Sequence, residues 1–289
     1  MSASTTARTI KTKAEQAKRE TMENPFVEGL ARGGYIARGV IYALIGLLAV
    51  QLAFANGGQA TDQNGAIQMI GAQPFGKWLL ILLTVGLLGY SMWGFIRAFF
   101  DALGRGHDMK GLIERFGFLV SGVTYGALAA VAFKFATGSG NANAGKPQDM
   151  SAQLMSHPYG QWFVAILGVF WIISALAQFY LAWTASFKKD FQPGLPMNER
   201  KWAEWLGRFG YAARGVVFGL IGWFLIVSAM RFDPNQAVGL DGALLKLTQE
   251  PYGMPLLAVV ALGLVAFGVY SALCARWIRV FRPSPKGNK

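Results

Sequence analysis

The sequence predicts an all-α polytopic membrane protein: six transmembrane helices forming three parallel two-helix repeats around a pseudo-threefold axis, with short amphipathic helices on the outer side. Three observations carry that prediction. Of 289 residues, 53% are hydrophobic and only 15% are charged, against about 25% charged in soluble domains. Six apolar runs are long enough to cross a hydrocarbon core about 30 Å thick, which needs roughly 20 helical residues. The third observation is one hairpin pattern that recurs three times along the chain.

The apolar runs cover residues 34–55, 75–99, 116–136, 159–187, 209–230 and 252–275. Residues 79–96, 159–187 and 251–275 carry no charge, and a domain of this size has no aqueous core able to bury six such helices. The first run follows 33 mostly polar residues, so it reads as a retained span rather than a cleaved signal. Residues 1–29 read as a solvated cytoplasmic tail, with Arg8, Lys11, Lys13, Lys18 and Arg19 offset by Glu15, Glu20, Glu23 and Glu28.

Charge sets the orientation. The side holding both termini and the second and fourth connections carries 22 of the 27 basic residues and 10 of the 15 acidic ones; the other side carries five of each. The whole surplus of +12 therefore lies on one face, which the positive-inside rule makes cytoplasmic. The expected partners are anionic headgroups of membrane lipids, not nucleic acid. Arg276, Arg279, Arg282, Lys286 and Lys289 would each contribute about 1 kcal/mol at such a surface.

The repeated unit is a two-span hairpin. Its opening reads Arg32, Gly34, Tyr35, Gly39, Val40 and Tyr42; then Arg115, Gly117, Phe118, Gly122, Val123 and Tyr125; then Arg208, Gly210, Tyr211, Gly215, Val216 and Phe218. Each second span is announced by proline, an aromatic and glycine: Pro74-Phe75-Gly76, Pro158-Tyr159-Gly160 and Pro251-Tyr252-Gly253. The copies occupy 30–110, 111–200 and 201–280, followed by a basic tail at 281–289. This arrangement resembles the bacterial membrane family named Domain of Unknown Function 1206, in which a paired-helix unit occurs in three tandem copies. The resemblance runs from about residue 30 to 277. It implies an integral protein of the bacterial cytoplasmic membrane and supplies no activity. The middle copy departs from its siblings, with Ser121 where they have Arg38 and Arg214.

A unit with an even number of spans re-enters the membrane in its first orientation, so the copies are parallel and related by rotation about the membrane normal. Gly39 with Ala43, Gly122 with Gly126, and Gly215 with Gly219 stand four apart on one helical face, where small residues allow close backbone approach. Short amphipathic stretches at 66–70, 152–155 and 243–247 precede the proline stops. They are expected to lie on the outer surface or fold back toward the centre, with Asp149 and Asp241 as N-caps. The prolines are expected in the first turn of the following span.

Candidate chemistry is sparse. His107 and His157 fall on opposite sides, Cys274 is the lone thiol, and all fifteen carboxylates lie outside the apolar runs. No catalytic, metal or cofactor constellation emerges, so neither an enzyme nor a bound cofactor is expected. An enzyme would require His107, Asp101, Asp108 or Glu114 to converge in a cytoplasmic pocket. The intramembrane polar set comprises Arg38 and Arg214 about one turn inside, Gln51, Lys134, Gln178, Thr84, Ser91 and Ser271. The two arginines either snorkel to lipid phosphate or form an anion or lipid-headgroup site between odd spans. Gln178 is expected to make a helix-to-helix hydrogen bond. Trp78, Trp162, Trp183, Trp202, Trp205 and Trp277 read as interface anchors, and Trp93, Trp171 and Trp223 as deeper packing. The resulting expectation is a structural, lipid-contacting or partner-binding role, with a small-solute or anion facilitator through the centre as the alternative.

Overall fold

The structure, a computed structural model, describes residues 24–54, 60–106, 108–141 and 146–278. The N-terminal basic residues, His107, Arg279, Arg282, Lys286 and Lys289 lie outside the described residues. Repeat 1 comprises α1 (Pro25–Phe54), α2 (Gln63–Gly71) and α3 (Gly76–Phe100). Repeat 2 comprises α4 (Met109–Ala136), α5 (Pro147–Met155) and α6 (Gly160–Thr184). Repeat 3 comprises α7 (Met197–Arg231), α8 (Leu240–Thr248) and α9 (Gly253–Trp277). The six long helices are each long and apolar enough to cross a membrane, and no strand occurs among the described residues.

Two kinds of boundary differ from the apolar runs. The odd helices α1, α4 and α7 begin before them, because i,i+4 pairs such as Glu28–Arg32 and Glu204–Arg208 extend the helix into polar surroundings. At the other extreme, α6 stops at Thr184 although the uncharged run continues to Phe187. Ala185 turns left-handed with φ 48°, and Phe187 folds under the bundle against Tyr211 and Tyr270.

The spans pack in the order α4, α3, α1, α9, α7, α6. The three seams between repeats are equivalent. A Cβ on Gly39 would lie 2.9 Å from that of Ala272, one on Gly122 would lie 3.3 Å from the Phe95 ring, and one on Gly215 would lie 3.0 Å from the Phe179 ring. Ala272, Phe95 and Phe179 each stand nineteen residues after the glycine that opens their span. Gly126 and Gly219 flank the same seams, near Ser91 and Ala175 respectively. The aligned arginines seal one end of each of these seams. Arg32 donates to the Ala275 carbonyl, Arg115 to those of Ala98 (2.7 Å) and Phe99 (3.1 Å), and Arg208 to that of Trp183 (2.8 Å). A cation there satisfies otherwise orphaned carbonyls and meets the negative end of the helix dipole.

Seams within repeats are not equivalent. In repeat 1 a Cβ on Gly34 would sit 2.6 Å from Tyr90 and one on Gly86 would sit 2.8 Å from Ala37. Repeat 3 reproduces this with Gly210 against Phe267 (2.7 Å) and Gly263 against Ala213. In repeat 2, α4 and α6 do not pack as a pair. Gly117, the counterpart of Gly34 and Gly210, has nothing within 4 Å of an added Cβ. Phe170 occupies the position of Gly86 and Gly263, and Ser174 that of Tyr90 and Phe267. A bulky ring where the siblings need no side chain, and a small hydroxyl where they insert an aromatic, remove the fit that closes the other two repeats. The pseudo-threefold ring is thus open on one side. Within the most apolar eighteen-residue stretch of each span, only 22% of residues are buried in α4 and 17% in α6, against 44–56% in the other spans.

The short helices fold back on the ring end. Ala66, Ile67, Ala243 and Leu244 are fully buried. Asp62 caps α2 by accepting from Gly65 N at 2.8 Å. Asp149 and Asp241 are not N-caps as the sequence suggested: they lie in the first turns of α5 and α8, behind Lys146 and Gly239, where a carboxylate faces the free N–H groups of the turn. The prolines also differ from expectation. They sit in the tight turn before each span, closed by Gly76 N to Gln73 O (2.8 Å), Gly160 N to His157 O (3.0 Å) and Gly253 N to Glu250 O (2.8 Å). Proline presets its own φ, and the aromatic after it turns left-handed at φ 63°, 65° and 59° for Phe75, Tyr159 and Tyr252. That turn holds each ring out from the bundle, 81%, 78% and 88% exposed. Gly76, Gly160 and Gly253 follow because any Cβ there would collide with carbonyls of the preceding short helix.

Candidate functional site: an arginine–aromatic axis

Arg38 does not snorkel. Its position on α1 directs the side chain inward, where it is 7% exposed. Its Nε donates to Ser271 Oγ at 2.7 Å and its Nη1 to the Tyr90 hydroxyl. Ser271 in turn donates to the Tyr35 carbonyl at 3.1 Å. The guanidinium lies 5.2, 4.7 and 5.1 Å from the ring centroids of Tyr35, Tyr90 and Phe267. Arg214 also points to the axis and is half-buried, at 5.2, 4.9 and 4.4 Å from Tyr42, Phe218 and Phe267. The two arginines therefore share the Phe267 ring.

A third guanidinium joins them. Arg97, near the end of α3, is 7% exposed and lies 5.5, 5.3 and 4.4 Å from the rings of Tyr90, Trp93 and Phe118. Sequence reasoning passed over it because it closes an uncharged run and has no arginine counterpart in the other repeats, where Leu181 and Cys274 stand. Arg97, Tyr90, Arg38, Phe267 and Arg214 form a continuous alternation of cation and ring across the bundle. Tyr125 of α4 extends it, edge-on to Tyr90 at 4.6 Å.

No carboxylate among the described residues pairs with any of the three. Each ring face returns about 0.5–2 kcal/mol, while an unpaired buried charge costs several kcal/mol. Arginine cannot shed its proton to escape that cost. Two guanidinium nitrogens, Arg97 Nη2 and Arg214 Nε, are buried with no hydrogen-bond partner. Gln178 Oε1 is orphaned likewise, so the amide oxygen makes no helix-to-helix hydrogen bond.

The remaining polar candidates are engaged elsewhere. Asp101 accepts from the backbone N–H of Arg105 and Gly106, Asp108 caps α4 through Gly111 N, and Glu114 pairs with Arg105 at 2.9 Å. Arg105 also holds Asp190 bidentately at 2.8 and 2.7 Å. Burial raises the pKa of Asp190 above the ordinary aspartate value while Arg105, and then Arg97, pull it down. His157 is exposed beside the Gln153 carbonyl, Cys274 is buried, and no group of metal-ligating residues occurs among the described residues. Trp277 is no surface anchor: it is 4% exposed and donates to Glu199 at 2.8 Å. Trp223, conversely, faces outward at 59% exposure. An apolar groove of about 500 Å³ runs along α3, lined by Leu88, Met92 and Phe95 among others, with no arginine in its lining.

Three tandem matches to the family model described as Domain of Unknown Function (DUF1206), at residues 33–101, 116–185 and 209–277, coincide with the three hairpins. The chain belongs to that family. It is 36% identical over 258 residues to the uncharacterized protein YxxB of Bacillus subtilis (strain 168), covering 89% of this chain and 92% of that protein. No solved structure matches it.

Proposed function

We propose that this chain is a lipid-contacting protein of the bacterial cytoplasmic membrane, with both termini cytoplasmic, which holds the anionic group of a membrane lipid on its arginine–aromatic axis and catalyses no reaction there. The observation that carries this reading is a net positive cluster inside an apolar bundle, with none of its three arginines in an ion pair among the described residues. Ring faces and hydroxyls offset only part of the cost of such charge in low dielectric, and an anionic partner would offset the rest. Protonated guanidinium offers neither nucleophile nor general base, which supports binding over catalysis. The cytoplasmic placement of the termini rests on the one-sided charge surplus.

Passage of a solute along the axis is disfavoured, because described residues occupy both ends: α2 and α8 at one, Phe187 and Phe191 at the other. The test is native mass spectrometry of protein extracted in mild detergent. Wild type should retain anionic phospholipid, and the double variant Arg38→Gln/Arg214→Gln should lose most of it while remaining monodisperse. Unchanged retention in that variant rejects the reading.

A further inference from the structure

Two of the orphaned polar atoms belong to α6, one flank of the open seam, and to α7, which packs on α6, and the repeat symmetry connects them. Ser271 stands in α9 where Gln178 stands in α6, each eighteen residues after its opening glycine, and Arg38 stands in α1 where Arg214 stands in α7. At the seam between α9 and α1, Arg38 Nε donates to Ser271 Oγ. At the equivalent seam between α6 and α7, donor Arg214 Nε and acceptor Gln178 Oε1 are both buried and both unmatched. A complementary pair that is bonded in one copy is left open in the copy bordering the gap.

From this juxtaposition we propose that the seam between α4 and α6 is a lateral portal by which a phospholipid enters, seating a phosphodiester on Arg214 and a headgroup hydroxyl on Gln178. This deepens the lipid-binding reading above and rests on it. The donor and acceptor complement sets the ligand class. Arg214 Nε needs an acceptor and carries charge, which selects an anionic phosphate oxygen. Gln178 Oε1 needs a donor, which selects a polyol headgroup over a bare phosphate.

The portal follows from exposure. Positions that α1 and α3 bury against each other in repeat 1 are open here: Gly117 matches buried Gly34, Ile173 matches buried Gly89, and Ala177 matches fully buried Trp93. Ile113 and Ile173 on the two flanks are 64% and 59% exposed. This opening falls within the spans, where the surrounding solvent is acyl chain, so one lipid can keep its tails in the membrane while its headgroup reaches the axis. The uncompensated cations favour an anionic lipid over a second copy of this cationic chain.

Two experiments on the full-length protein test it. In the first, protein is equilibrated with mixed micelles containing phosphatidylglycerol or phosphatidylmethanol, which share charge and phosphodiester but differ in the headgroup hydroxyls, and retained lipid is counted by native mass spectrometry. Wild type should prefer phosphatidylglycerol by roughly fivefold, the effect of one hydrogen bond. Gln178→Leu should bind both equally. Gln178→Glu, which supplies Arg214 with its own carboxylate, should lose both lipids yet stay folded. Equal retention of the two lipids by wild type overturns the hydroxyl assignment even if Arg38→Gln/Arg214→Gln still abolishes binding, so the two readings fail separately. Displacement of lipid by millimolar inorganic phosphate would assign the site to a soluble anion and overturn the portal.

In the second, benzoylphenylalanine replaces Ile173 or, as a control, Leu82, which faces outward from α3 at 71% exposure. In vesicles of phosphatidylcholine with one-fifth phosphatidylglycerol, crosslinks at Ile173 should be enriched severalfold in phosphatidylglycerol relative to Leu82. The enrichment should vanish with Arg214→Gln. Equal lipid composition at the two positions overturns the portal.

Discussion

At the residue scale the molecule places charge where neighbouring geometry can use it. Arg32, Arg115 and Arg208 are spent on carbonyls at the ends of adjacent helices, and the same residue type at Arg38, Arg97 and Arg214 is turned inward against rings. Sequence alone separates these roles only by depth, and depth was misleading. One turn inside a span is within reach of the surface, yet Ser271 and Tyr90 draw Arg38 toward the axis. Asp62 gives a residue-level prediction. Burial, together with Asp241, raises its pKa, opposed by the backbone N–H of Gly65. Because the folded value lies above the unfolded one, Asp62 lowers stability as pH rises through that interval and costs nothing below it. Asp62→Asn keeps the cap but removes the charge, so its thermal midpoint in detergent should exceed wild type at neutral pH and converge with it near roughly pH 4. A constant difference across pH would refute the assignment.

At the element scale, glycine position decides which helices meet. Replacing Gly86 with Phe, the residue repeat 2 carries at the matching place, sets a ring against Ala37 and the Gly33 carbonyl. It should cost about 1–3 kcal/mol or more from overpacking and increase proteolysis of the α1–α3 hairpin. Gly117→Ala, in the open seam with nothing within 4 Å, should be neutral or stabilise by up to about 1 kcal/mol through helix propensity. Thermal midpoints of the two variants in one detergent check both; comparable losses would mean that the repeats are packed alike. The punctuation of the even spans belongs to this scale too. Its recurrence was legible, while the reason for each glycine lies in carbonyls five or six residues earlier, brought close only by the turn.

At the scale of the whole molecule, the open ring divides the chain into two three-span groups, α1, α3 and α4 against α6, α7 and α9, joined chiefly along α1 and α9. A break between Gly138 and Ser139, at the end of α4, severs no packed intra-repeat seam. Co-expressed fragments 1–138 and 139–289 should therefore co-purify and show a thermal transition close to that of the intact chain. A break between α1 and α2 divides a packed hairpin and should give a lower yield. Failure of the first pair to associate, with each fragment aggregating alone, would show that the seam of repeat 2 is closed in the membrane.

The sequence by itself determined the number of spans, their repetition and the small-residue faces, because a segment's preference for lipid over water and its helical period are local properties of composition and spacing. It also contained Ser121 and Phe170, the departures that mark the middle repeat, but not their consequence. Tertiary structure alone decided that the ring opens between α4 and α6, that Arg38, Arg97 and Arg214 meet along one line of rings, and that Phe187 folds beneath the bundle instead of extending a span. Each of those outcomes depends on the fit of side chains from different helices, and shape complementarity between separate surfaces leaves no periodic mark on a single strand of sequence.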